Sequence, residues 1–143
     1  MTDKNRSDML AMVVLVAAGI VWFIIRMQRG EFFPPSAGDV FTYIIFAPLA
    51  EELFFRGVLQ DHVNDWLRKN GRKHLFIKTP VLSKGNIFTS LVFLLVHIPF
   101  WGVSHSLLVF FPSIAFGFIY DKTGKLVYPI FLHAVYNVNV FIV

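Results

Sequence analysis

The sequence predicts an all-α fold, a polytopic membrane helix bundle of about five transmembrane segments, and three observations carry that expectation. The 143-residue chain is 56% hydrophobic and 17% aromatic, with a mean hydropathy of +0.63, more apolar surface than a water-soluble domain of this length can hide. Met9 to Ile25 is an unbroken apolar run, about 25 Å of helix at ~1.5 Å per residue, close to a ~30 Å hydrocarbon core. The basic residues cluster between the apolar segments and do not interleave with aromatics, so they read as topology signals and exclude a nucleic-acid partner. Cysteine is absent, which removes disulfides, thiolate metal sites and a cysteine nucleophile.

The first segment is an N-terminal anchor helix at about residues 9–28. Its run ends in "WFIIRMQRG" with no small-x-small cleavage pattern, which favours an uncleaved anchor over a signal peptide, and Arg26 can snorkel to the interface. Four further segments follow at about Val40 to Gln60, Asn86 to Ile98, Ser106 to Tyr120, and Leu126 to the C-terminus, the middle two being short. Proline and glycine punctuate them at "FFPPSAG", "IPFWG" and "DKTGK", and no repeat or low-complexity stretch intervenes. The chain therefore reads as one integral-membrane domain, 1–143, with a functional core at about 40–143.

With the N-terminus in the cytoplasm, Lys4, Arg6, Arg68, Lys69, Arg72, Lys73, Lys78, Lys84, Lys122 and Lys125 fall inside, and only Arg26 and Arg29 fall outside. That asymmetry predicts N-in and C-out for five spans.

Strongly polar groups at membrane depth are costly, so each demands a partner or a task. Glu51, Glu52 and Arg56 lie on the second segment, His97 on the third, and His133 with Asn137 on the fifth. Adjacent helix positions differ by about 100°, so the two glutamates diverge, while Glu52 shares a face with Arg56 four residues on and is expected to pair with it. Glu51 is left without a cation close in sequence. His133 and Asn137 are also four apart, and two donors on one face can converge on one oxygen. Counted from the expected helix starts, Glu51, His97 and His133 reach the middle zone of the bilayer, so a carboxylate, two imidazoles and an amide can meet in one cavity, a set suited to activating water and stabilising an oxyanion. The unreactive counterparts are a buried ion-pair network for Glu51, Glu52 and Arg56, a backbone-bonded His97, and helix-to-helix glue for His133 and Asn137.

In this order, E-E-x-x-x-R (Glu51, Glu52, Arg56), F-x-x-x-H (Phe93 to His97) and H-x-x-x-N (His133 to Asn137), the residues resemble the three motifs of the CAAX-protease and bacteriocin-processing family of intramembrane endopeptidases, also called CPBP or Abi. The resemblance spans roughly Phe46 to Asn137. It implies a glutamic-type intramembrane peptidase in which Glu51 and His97 polarise water and His133 with Asn137 steady the oxyanion. Glu52, Arg56 and Phe93 would support that site. The usual family core has about eight membrane helices, so this chain looks truncated, and a homodimer would supply the missing part of the cavity. The short length is similar to bacterial members tied to C-terminal protein sorting. That likeness implies a membrane protein or lipid-anchored peptide as substrate, in the inner (cytoplasmic) membrane.

Other mechanisms fit less well. H-E-x-x-H is absent, paired intramembrane aspartates are absent, and a serine dyad built on Ser104 and His133 leaves Glu51, Glu52, Arg56 and Asn137 without a task. No cofactor is expected, although Glu51, His97 and His133 form a known zinc set. A non-catalytic immunity or scaffold protein would keep the same polar cluster for helix association, and a transporter is disfavoured by the lack of repeat symmetry.

Overall fold

The computed structural model describes residues 3–69 and 82–142. Helix α1 covers Asp3–Met27. Rod α2 is a continuous helical run in which the α-helical turns Ala37–Asp39, Ala47–Glu52 and Asp61–Lys69 alternate with the π-helical stretches Val40–Phe46 and Leu53–Gln60. Helix α3 is Lys84–Thr123, and α4 is Val127–Asn137, continued by a 3-10 turn at Val138–Phe141. Among the described residues there is no strand, only an isolated bridge between Phe32 and Ile142. The helical membrane-bundle expectation holds. Arg72, Lys73 and Lys78 of the basic segment lie outside the described residues.

The third and fourth predicted segments are the two helical arms of α3, which meet at a sharp bend. A straight 40-residue helix would measure about 60 Å and overshoot a bilayer of ~40–45 Å. The bend sits at Gly102, whose φ of 74° and ψ of 169° belong to a region open essentially to glycine alone. "IPFWG" is therefore not the loop expected from its composition, because helix runs through Pro99 up to this single residue. The arms, residues 84–101 and 103–123, come to about 27 Å and about 31 Å and each suits one crossing. They run back against each other, as the Ser113 to Ser90 hydroxyl bond (3.1 Å) and the bond from Asn86 Nδ2 to the Ile114 carbonyl (3.0 Å) require.

The apolar exterior faces lipid. Met9, Leu10, Val13, Val14 and Val21 of α1 are each more than half exposed, an arrangement water would not tolerate over so long a stripe. Two helices, Asp3–Met27 and Lys84–Thr123, are long and apolar enough to cross a membrane. The inward face of α1 packs on a core of Phe116, Ile119 and Leu132 through Ala11, Met12, Leu15 and Val16. Gly19 permits the closest approach, since a Cβ there would stand 2.7 Å from the Tyr136 ring.

The π-helical stretches have local causes and positional effects. Pro48 lacks the N–H that would bond the carbonyl four residues back, and the turn before it is widened, with Ala47 N–H reaching the Thr42 carbonyl. In a regular α-helix each step of four residues rotates about 40° beyond a full turn. The wider π turn absorbs that drift, so Glu52, Arg56 and Gln60 stay on one inward stripe, all fully buried.

Candidate active site

Glu51 and Glu52 end the α-helical turn in the middle of α2, and α3 and α4 bring the histidines to them. Glu52 is fully buried, and each of its oxygens has a partner. Its Oε1 accepts from His133 Nδ1 at 2.8 Å and its Oε2 accepts from Arg56 Nε at 2.9 Å. Arg56 spends its remaining nitrogens on Gln60 Oε1 (3.3 Å) and Ser113 Oγ (2.7 Å). Gln60 passes the pattern on to the Gly117 carbonyl (3.2 Å) and Asp121 Oδ1 (2.8 Å). Every charge in this ladder has its partners, which is the condition under which a buried ion pair can be kept.

Glu51 differs in each respect. Its side chain is 31% exposed, and its Oε2 is a buried oxygen with no hydrogen-bond partner. That oxygen lies 4.0 Å from His97 Nε2 and 3.9 Å from His133 Nε2. Such gaps are too long for hydrogen bonds and wide enough for one water at ~2.8 Å from each atom to fit between them.

Both imidazoles are fixed from behind. His97 Nδ1 donates to the Phe93 carbonyl at 2.7 Å, an assignment forced because a carbonyl only accepts. The ring stacks on Phe93 with centroids 4.3 Å apart. His133 Nδ1 is held by Glu52 Oε1, and its ring stacks on Phe116 at 4.8 Å. Each histidine therefore turns Nε2 toward Glu51. As neutral rings both Nε2 atoms are acceptors, and as an imidazolium either one donates.

Asn137 lines the same cavity, and its Nδ2 donates to the Tyr43 carbonyl at 2.9 Å. One of its two amide hydrogens is thus used to hold the side chain, and one is left for the cavity. His133 and Asn137 are thus each tethered to α2 through one ring or amide nitrogen. The cavity measures about 700 Å³ and extends from His97, His133 and Asn137 along Phe93 and Phe116 to Arg26, Trp101 and His105. Ser104 is exposed on α3 and does not line it.

Sequence reading missed the lower ladder and the ring under His133. Glu52, Arg56, Gln60 and Asn64 recur every four residues, a signal that could have announced the stripe. Ser113, Ser90 and Phe116 carried no such mark, since small polar and aromatic residues are common in membrane helices.

As a zinc set, Glu51, His97 and His133 have suitably anchored rings. Their ligand atoms stand at 3.9 and 4.0 Å, wider than the ~3.3 Å between atoms bound ~2.0–2.1 Å from one tetrahedral ion. Among the described residues no group of three such side chains has metal-binding spacing.

Two comparisons, with curated proteins and with solved structures, gave no match. The comparison with family models matched residues 35–139 to "Type II CAAX prenyl endopeptidase Rce1-like".

Proposed function

The chain belongs to the Rce1-like family of type II CAAX prenyl endopeptidases, integral membrane proteins with peptidase activity at the family level, and from that premise we propose that it is a glutamic-type intramembrane peptidase. One observation carries this reading: the unpartnered Glu51 Oε2 facing two Nε2 atoms across water-sized gaps. A water held between Glu51 and His97 gives a proton to Glu51 as its oxygen attacks the scissile carbonyl carbon. The resulting oxyanion is met by Nε2–H of a protonated His133, whose charge Glu52 offsets, and by the second N–H of Asn137. Glu51 then returns the proton to the leaving nitrogen as the C–N bond breaks. The donors act only once charge has developed, which is where hydrogen bonds lower a barrier.

The substrate in this proposal is a membrane protein or lipid-anchored peptide, cut near a membrane-embedded C-terminal tail in a bacterial sorting system. The N-terminus is cytoplasmic, and a homodimer completes the cavity. The reaction needs no metal, because Glu51 and His97 suffice to activate water.

Co-expression with tail-bearing membrane proteins, followed by mass spectrometry of their termini, identifies the cut. Glu51→Gln should then bring cleavage to background, a loss of about 10²–10⁴, while the protein still folds. Cleavage at the wild-type rate would overturn the mechanism. A strong chelator should leave purified enzyme active, and activity restored only by zinc would assign Glu51, His97 and His133 as ligands instead. A tag between Arg68 and Lys84 should report the cytoplasm and a C-terminal tag the opposite side.

A further inference from the structure

Arg26 lies near the end of α1, outside the family-matched residues 35–139. A terminal arginine of a membrane anchor ordinarily snorkels to the headgroups. This one instead lines the cavity, with Trp22 and Ala18 one and two turns before it on the same face. Its Nη2 donates to the carbonyl of Ile142. That acceptor is neutral, and among the described residues no carboxylate pairs with Arg26. His105, stacked on Trp101 at 5.3 Å, also lines the cavity and lies within electrostatic reach of Arg26. The same cavity is lined by the apolar Phe93, Phe116 and Leu108.

We propose that α1 supplies a specificity subsite, in which Arg26, seconded by His105, holds a carboxylate of the substrate while the apolar walls take the segment between that group and the scissile bond. The substrate class is then an apolar peptide ending in, or interrupted by, an acidic group, with Arg26 as a specificity-determining residue. A volume of about 700 Å³ falls within the ~300–1,000 Å³ of ligand pockets. A guanidinium in such a low-dielectric rim favours a planar carboxylate, which it can meet with two parallel hydrogen bonds. The inference rests on the peptidase reading for the identity of the scissile end, and its test reads binding rather than cleavage.

Trp22 and Trp101 line the cavity and Trp66 does not, so energy transfer to a dansyl group reports occupancy. The probes are three dansylated Leu/Ala peptides of one length: a free C-terminal acid, its C-terminal amide, and the amide with one internal Asp. The full chain is used in detergent micelles as the Glu51→Gln protein, in parallel with wild type. The free acid or the Asp peptide should bind at least about tenfold tighter than the plain amide, and which one does so separates a terminal from a side-chain carboxylate. Arg26→Gln keeps a donor for the Ile142 carbonyl and should abolish the difference, Arg26→Lys should restore part of it, and His105→Gln should reduce it less. Equal binding of all three peptides by the unmodified Arg26 proteins overturns the subsite without any need for a folded variant. Discrimination that survives in folded Arg26→Gln overturns it as well. Carboxylate selectivity without cleavage by wild type would sink the peptidase reading and leave the subsite standing.

Discussion

Glu51 and Glu52 are neighbours in the chain and opposites in surroundings. Glu52 has no solvent exposure and gives both oxygens to charged or chargeable donors, His133 and Arg56. Glu51 keeps an oxygen that nothing in the described chain satisfies. The roughly 100° between adjacent helix positions is enough to send one carboxylate into a closed network and to turn the other toward the Nε2 atoms of His97 and His133. A buried acid with both oxygens hydrogen-bonded resists change, whereas an unpartnered oxygen is available for water and protons. The pair therefore divides between stability and chemistry.

The largest expected effects test the open side. Glu51→Gln and Glu52→Gln make the same chemical change one residue apart, and they should fail differently. The first should lose turnover to background with normal yield and thermal unfolding in detergent. If both variants lost activity and yield together, the division between the two acids would be wrong. Asn137→Ala comes next, with kcat lowered by about 10² to 10³ and KM little altered, the size of losing one oxyanion donor. A change confined to KM would instead place Asn137 in substrate binding.

The closed side should register as stability. Glu52→Gln leaves the fully buried Arg56 without its anion and should cost about 3–5 kcal/mol, seen as collapsed yield or a lowered midpoint of unfolding. Normal stability would show that Gln60 and Ser113 alone satisfy the guanidinium. Ser113→Ala is the mildest test, since it removes the acceptor of Arg56 Nη2 and the bond to Ser90 but no charge. A loss of about 1–3 kcal/mol in stability is expected, with kcat within a few-fold of wild type. A large drop in kcat from Ser113→Ala would mean that the ladder tunes the chemistry directly.

Some of this was legible before any coordinates. The i,i+4 spacing of Glu52 and Arg56 was enough to predict their ion pair, because helix geometry puts those positions on one face whatever surrounds them. The same reasoning placed Glu51 apart from Arg56. The bend at Gly102 was not legible, because "IPFWG" reads as a loop by composition, and a single glycine at positive φ performs the whole reversal. The Glu52 to His133 bond was also hidden. Its partners are 81 residues apart, and no local pattern distinguishes which of two adjacent glutamates a distant imidazole will meet.

The sequence by itself determined the solvent, the helical class and the roster of reactive groups. Apolar length, period and residue chemistry are properties of the chain that hold before it folds. Only the tertiary structure decided which ring nitrogen faces the cavity, which glutamate has a partner on each oxygen, and that Arg26 turns inward rather than to the interface. Those outcomes depend on contacts such as Phe93 O to His97 Nδ1, Glu52 to His133 and Ile142 O to Arg26. Partners like these exist only once α1, α2, α3 and α4 are packed, since a hydrogen bond is fixed by the position of both its ends.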